Sequence, residues 1–387
     1  MSRQRVRVRS EELRPTTRSA GERGDGTAFR FTHRRVSGIR KPRVAPARIP
    51  FNRTSTVGRE IEHMAEAARG GEIGGDHSFT GRCHELLERE LGVSRVLLTT
   101  SCTHALEMSA LLLDIAPGDE VIVPSFTFVS TANAFALRGA RIVFSDVRPD
   151  TLNLDESRLE ALITPRTRAI VPVHYAGVGC EMDSILETAR AHGIAVVEDN
   201  AHGLFGKYRG RWLGSLGALA TQSFHETKNF SSGEGGALLI NDPGLVDRAE
   251  IVREKGTDRT RFVRGEIDKY GWVDLGSSYL LADLLAAYLW AQLSEREAIQ
   301  ARRRLLWERY HEGLAAWSQA AEVQRPTVPV HCEQSWHCYY LLLPSGRARA
   351  ALARSLRERG IQAVSHYMPL HLSPMGRRFG GREGQCP

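Results

Sequence analysis

Ser223-Phe224-His225-Glu226-Thr227-Lys228-Asn229, running into Gly233-Glu234-Gly235-Gly236, sets one lysine in a glycine-flanked loop between two short apolar runs, 219–224 and 236–241. A lysine held between two strands can form a Schiff base with an aldehyde, whereas a lysine on its own is ordinarily a solvated surface charge. Two upstream segments change the balance. Ala195-Val196-Val197-Glu198-Asp199-Asn200 reads as an apolar strand that ends in an acid. Thr99-Thr100-Ser101-Cys102-Thr103 passes from a strand into a helix in a way suited to holding an anion.

Outward from the lysine, the chain alternates between runs rich in Val, Ile and Leu and stretches with helical periodicity. The runs at 95–100, 120–126, 141–147, 169–175, 195–200, 219–224 and 236–241 predict seven strands. Helices are expected between them at 104–115, 130–138, 159–162, 184–192 and 245–254. Such alternation implies an α/β fold with a mostly parallel seven-stranded sheet, covered by helices and binding ligands beyond its strand ends. Two helices, 60–69 and 82–91, precede the sheet; 280–292 and a charged helix at 295–317 follow it. A smaller αβ unit closes the sequence: strand 337–343, helix 348–359, strand 361–367. The expected division is therefore an extension at 1–48, a large cofactor-binding domain at 49–293 and a small C-terminal αβ domain at 294–387.

The chain's net charge of +7 invites a nucleic-acid reading, but its distribution argues against one. Residues 1–50 hold 14 Lys/Arg against 4 Asp/Glu, leaving 38 basic and 41 acidic residues in the remainder. The basic segment lacks a helical period and a signal-peptide core, and reads as a disordered extension, with an electrostatic tail for nucleic acid as the alternative. No apolar run reaches the ~18 residues of a membrane span. Six cysteines, at 83, 102, 180, 332, 338 and 386, show no CxxC spacing, which points to free thiols and a cytoplasmic setting. His331, Cys332, His337 and Cys338 resemble metal ligands, but alternation along a strand at 337–343 would separate them, and no metal site is expected.

Each polar group has a chemical reading beside a structural one. At Ser101-Cys102-Thr103 the first turn of a helix offers unpaired amides and hydroxyls to a phosphate; a simple N-cap would use the same residues. Asp199, partly buried at a strand end, needs a compensating cation, which a pyridinium nitrogen would supply; capping the next turn is the alternative. Phe128 follows a strand end and can stack on a ring or simply fill core. Lys228 would hold the cofactor aldehyde and, once released, carry a proton; both tasks need an amine that loses its charge near neutral pH. Phosphate cradle, acid, then lysine is the order in which pyridoxal 5'-phosphate enzymes of fold type I, the aspartate aminotransferase type, present their contacts.

From about residue 49 onward the chain resembles the DegT/DnrJ/EryC1/StrS sugar aminotransferases. The stretches that carry the resemblance include Gly118-Asp119-Glu120-Val121-Ile122-Val123-Pro124-Ser125, Val171-Pro172-Val173-His174-Tyr175-Ala176-Gly177, Ser223 to Asn229, Arg253-Glu254-Lys255-Gly256-Thr257 and His366-Tyr367-Met368-Pro369-Leu370-His371. The resemblance implies a homodimer with pyridoxal phosphate on Lys228, Asp199 at the ring nitrogen and Phe128 stacked on the ring. It implies phosphate contacts from Ser101, Cys102, Thr103 and Ser223, and a sugar-nucleotide segment that includes His366, Tyr367 and His371. The implied reaction takes an amino group from L-glutamate to dTDP-4-keto-6-deoxyglucose and gives dTDP-4-amino-4,6-dideoxygalactose, the amino sugar of enterobacterial common antigen.

The chain departs from the family pattern in three places. His202 stands where many members carry a glutamine that meets the cofactor oxygen, and Leu280 where many carry asparagine. Relatives run a few tens of residues beyond the equivalent of Pro387, so the small domain is expected to be incomplete. Two other readings stand beside the aminotransferase: a dehydratase of the same family, whose members replace the Schiff-base lysine with histidine, and an inactive homologue acting as scaffold or sensor.

Overall fold

Runs of four or five β-branched and aliphatic residues, too short and too apolar for surface helices, form the strands of one sheet. In the computed structural model, which describes residues 48–386, these are β1 (Arg95–Thr99), β2 (Glu120–Pro124), β3 (Arg141–Ser145), β4 (Thr167–Ile170), β5 (Ala195–Asp199), β6 (Leu219–Ser223) and β7 (Gly236–Ile240). Nearly all of the expected basic extension lies outside the described residues. The strand order is β1-β7-β6-β5-β4-β2-β3. Strands β3, β2, β4, β5 and β6 pair in parallel, and β7 runs antiparallel to both β6 and β1. The sheet is thus seven-stranded and mostly parallel.

Alternation sends neighbouring side chains to opposite faces. Leu97 and Leu238 join a core with the helices Cys102–Leu112 and Val129–Ala136, while Val96, Leu98 and Leu239 join a second core with Ser78–Leu91 and Asp283–Ser294. Burial on both faces explains why these strands read as unbroken apolar runs.

This topology gathers the polar groups at one edge. Because β7 is antiparallel to both neighbours, β1 and β6 point the same way, and Thr99, Gly236 and Ser223 lie side by side. Parallel pairing of β5 with β6 puts Asp199 opposite Thr221 at the same edge. The loop 224–235, which carries Lys228, leaves from Ser223 and returns at Gly236. The helix Cys102–Leu112 starts there too.

Several expected elements differ. Strand β4 ends at Ile170 instead of running to 175, since Pro172 has no N–H for a ladder and Ala176 adopts φ 55°; Val173 keeps a single bridge to Asp199. The strands expected at 337–343 and 361–367 do not form. Among the described residues each stretch finds one bridge only, Gln324 with Leu342 and Ile49 with Ile361, and no ladder holds either run extended. The helix between them, Gly346–Glu358, buries none of its residues. The charged helix expected at 295–317 breaks at Leu314, after Gly313, into Arg296–Gly313 and Ala315–Ala320.

Glu198, beside Asp199 but on the opposite face, ties β5 to the loop 214–217. Its carboxylate accepts backbone N–H groups from Gly214 (2.8 Å), Leu216 (2.7 Å) and Gly217 (2.7 Å) and meets His174 Nε2 at 2.8 Å. Burial alone would raise its pKa, but His174 and these amides outweigh burial and leave it lowered. With the folded value below the unfolded one, this carboxylate stabilises the fold above its unfolded pKa, and that contribution is lost as pH falls through the folded value. Glu198→Ala leaves three buried amides and His174 without their acceptor, and is expected to cost about 3–5 kcal/mol in urea unfolding. A loss under about 1 kcal/mol would show that the loop does not depend on this carboxylate.

Candidate active site

Lys228 sits in a turn closed by its own N–H donating to His225 O at 2.9 Å. Its neighbour Asn229 is buried and anchored: Nδ2 donates to Ser335 O at 2.7 Å, and Oδ1 meets His337 Nδ1 at 3.0 Å. The lysine side chain lines a small cavity together with His202, Ser223, Phe230 and His337. Desolvation lowers the pKa of the amine, against the opposing pull of Cys102, Asp199 and Cys338. It therefore gives up its proton more readily than a solvated lysine. A larger cavity, between the helix Arg296–Gly313 and the segment 323–336, contains none of the residues expected to meet cofactor or substrate.

Asp199 ends β5, with only 5% of its surface exposed. Its Oδ2 accepts from Thr131 Oγ1 at 2.7 Å and Oδ1 from the Ala201 N–H at 3.2 Å. Burial raises its pKa, while Thr131, the Ala201 amide and Lys228 pull it back. A carboxylate so placed fits a protonated ring nitrogen, the cation that would make its ionised form stable. His202 is buried close by. Its Nδ1 accepts the Ala176 N–H at 3.2 Å, which leaves the proton on Nε2. Burial first, then Lys228 and His366, hold this imidazole neutral.

The start of the helix Cys102–Leu112 forms the third part. Ser101 is its N-cap, Oγ accepting the His104 N–H at 3.1 Å, so the capping reading is realised. Thr103 Oγ1 meets Ser130 Oγ at 2.7 Å. The Cys102 thiol donates to Thr221 Oγ1 at 3.5 Å, and burial pushes its pKa up to about 12, so it is a neutral thiol. Gly236 presses against this turn, where a Cβ would overlap the backbone of Ser101 and Cys102. Ser223 adds a half-buried hydroxyl at the end of β6. Helix amides, hydroxyls and a glycine-bared backbone fit a phosphate.

The aromatic groups complete the edge. Phe128 is 57% exposed and packs at a tilt against Tyr367, with centroids 6.2 Å apart and planes at 55°. His366 stacks on Tyr367 at 4.6 Å and meets the Tyr175 hydroxyl at 3.0 Å. Desolvation, and then the charge of Lys228, lower the pKa of His366. His371 is buried, its Nδ1 lies 2.5 Å from Ser125 Oγ, and its ring packs on Phe144, so it fixes the end of β2.

Thr131, Tyr175, Asn229, His337 and Cys338 belong to the site but were not assigned to it from sequence. Thr131 lies in the first turn of the helix Val129–Ala136, and its hydroxyl also meets that of Thr127, just before the helix, at 2.9 Å. His337 and Cys338 drew notice only as part of a metal-like cluster. His331 and Cys332 turn instead to Glu181 and Gly179. Among the described residues no group of three or more His, Cys, Asp or Glu is placed to hold a metal, and no helix is long and apolar enough to cross a membrane.

Known proteins are similar to this chain in sequence and fold. The family model described as "DegT/DnrJ/EryC1/StrS aminotransferase family" matches residues 56–387. The spore coat polysaccharide biosynthesis protein SpsC of Bacillus subtilis is 33% identical over 351 residues, which cover 88% of each chain. The crystal structure of the aminotransferase TlmJ from Streptoalloteichus hindustanus is 32% identical, with a TM-score of 0.79 over 88% of this chain and 89% of that one. The putative sugar aminotransferase Spr1654 from Streptococcus pneumoniae, solved in PLP and PMP forms, is 26% identical; its PLP form gives a TM-score of 0.78 over 86% of this chain and 88% of its own. The chain is thus a pyridoxal phosphate enzyme, and it belongs to the DegT/DnrJ/EryC1/StrS aminotransferase family.

Proposed function

We propose that this aminotransferase takes its amino group from L-glutamate and delivers it to C4 of dTDP-4-keto-6-deoxyglucose, giving dTDP-4-amino-4,6-dideoxygalactose. The observation that carries the aminotransferase part is Lys228: a desolvated amine beside Asp199, in a cavity shared with His202 and Ser223. The sugar and the donor rest on the motif resemblance, from Gly118 to His371. Lys228 also favours this reading over a dehydratase, which would carry histidine there.

Pyridoxal phosphate, when bound, supplies an aldehyde for the amino group and a ring that draws electrons from the substrate carbon. The chain's residues do the rest. Lys228 Nζ, neutral once released, takes the proton from the α-carbon of glutamate and returns one to the sugar carbon in the reverse half. Asp199 would hold the positive ring nitrogen, and His202 would donate from Nε2 to the ring oxygen. Ser101, Cys102, Thr103 and Ser223 would hold the phosphate, with helix amides as the main donors and Cys102 as neutral lining. Phe128 would stack on the ring, and His366 with Tyr367 would meet the sugar nucleotide. His371 acts on Ser125 and not on substrate. A second copy of the chain completes the site in this proposal, covering Phe128, Val129 and Leu137, which are 57%, 56% and 66% exposed.

Incubation of the loaded enzyme with glutamate and a panel of nucleotide-linked keto sugars, with NMR assignment of the product, tests the substrate. Amination at C4 in the galacto configuration is expected. A gluco product, amination at C3, or no turnover of any keto sugar would contradict the assignment.

A further inference from the structure

One wall of the Lys228 cavity is a residue with no role so far. His337 lies on His202, ring centroids 4.1 Å apart and planes 20° from parallel. Each ring is locked by a partner whose hydrogen-bonding role is fixed. The Ala176 N–H can only donate, so His202 Nδ1 accepts at 3.2 Å and Nε2 carries the hydrogen. Asn229 Nδ2 donates to Ser335 O, so its carbonyl Oδ1 is what faces His337 Nδ1 at 3.0 Å, and that nitrogen must be protonated. The lone pair of His337 is then on Nε2. Burial lowers the pKa of both imidazoles, with Lys228, His366 and Arg303 adding positive charge nearby, so neither ring gains a second proton that would erase the difference.

The scaffold behind the pair is tight. The Ser335 N–H donates to Gly177 O at 3.0 Å, and Ser335 Oγ donates to His202 O. Arg303 Nε donates to Trp336 O at 3.2 Å and Nη2 to His337 O at 2.5 Å. Gly177, at φ 89°, has no room for a Cβ, which would overlap Ser335 Oγ. An amide at position 202 would present donor and acceptor on one rigid group, whereas an imidazole must be held in one tautomer to give the same donor.

We propose that His337 is a positioning residue of the cofactor site: stacked on His202, it holds in place the ring whose tautomer the Ala176 N–H sets, so that Nε2–H keeps one direction, and it presents its own Nε2 as an unprotonated acceptor in the Lys228 cavity. The proposal rests on the cofactor reading of this site and adds to it the device that lets a histidine serve there.

The full chain, labelled with 15N-histidine and studied by two-bond 1H–15N NMR without and with pyridoxal phosphate, tests it. His202→Gln and His337→Gln assign the two rings. The expected spectrum shows His202 protonated at Nε2 and His337 at Nδ1, both neutral at neutral pH. In His337→Ala the Ala176 N–H still sets the His202 tautomer, but the ring loses its stacking wall, and the Kd for pyridoxal phosphate, read from visible absorbance, is expected to rise about tenfold, the equivalent of one hydrogen bond. His337→Phe, which keeps a stacking ring, restores the affinity. A wild-type His202 protonated at Nδ1, or an alanine variant with an unchanged Kd, overturns the proposal. Should the alanine variant fail to fold, the wild-type spectrum alone decides. A chain that never takes up pyridoxal phosphate refutes the cofactor reading, while the tautomers of the free protein still report on the stack.

Discussion

Lys228→Ala is expected to lower kcat by about ten-thousandfold and to remove the visible absorption band of the lysine-bound cofactor. Two functions vanish with one amine: the covalent anchor for the cofactor aldehyde, and the base that moves the proton. The fold should hardly notice. The turn at 228 is closed by the backbone N–H of residue 228 donating to His225 O, a contact alanine keeps, and the neighbouring anchor is Asn229. Urea unfolding of the variant is therefore expected within about 0.5 kcal/mol of the parent, so that lost activity reflects lost chemistry. A variant that retains the band and turns over glutamate would place the chemistry elsewhere.

Asp199→Asn is expected to cost about a hundred- to thousandfold in kcat, because a neutral amide cannot balance a protonated ring nitrogen in a buried site. The same carboxylate gives a pH signature. In the free protein its pKa is raised, by burial first, and pairing with a cationic ring nitrogen would lower it again. Binding then releases a proton, so the affinity for pyridoxal phosphate rises with pH through the window between the bound and free values, and levels off above the free one. Asp199→Asn should bind weakly and without that pH dependence. Equal slopes in both proteins would separate Asp199 from the ring nitrogen.

Much of this is legible in the amino-acid sequence itself. Short apolar runs fixed all seven strands to within a few residues, because both faces of the sheet are buried and local apolarity is then the whole signal. The loop at Lys228 and the acid at the end of β5 stood out for the same reason, as polar groups where an apolar run stops. Register was harder. Nothing local announces that β7 runs antiparallel, and only that reversal brings Thr99, Gly236 and Ser223 together. The C-terminal runs misled, since 337–343 is apolar enough for a strand but has only one bridge among the described residues. Freed from a ladder, His337 and Cys338 turn toward the lysine, which alternation along a strand had seemed to forbid. His371 shared a motif with His366 and Tyr367, yet its partner is Ser125, a contact that joins residues 246 positions apart in sequence. The hairpin of Lys207–Tyr208 and Arg211–Trp212 was missed although Arg209-Gly210, both at positive φ, is its turn signal.

Borohydride reduction of the chain loaded with pyridoxal phosphate, followed by digestion and mass mapping, addresses the central claim most directly. The account predicts a single cofactor adduct, on the peptide containing Lys228, and none in Lys228→Ala. An adduct on another lysine, or none in a folded and loaded sample, would contradict it.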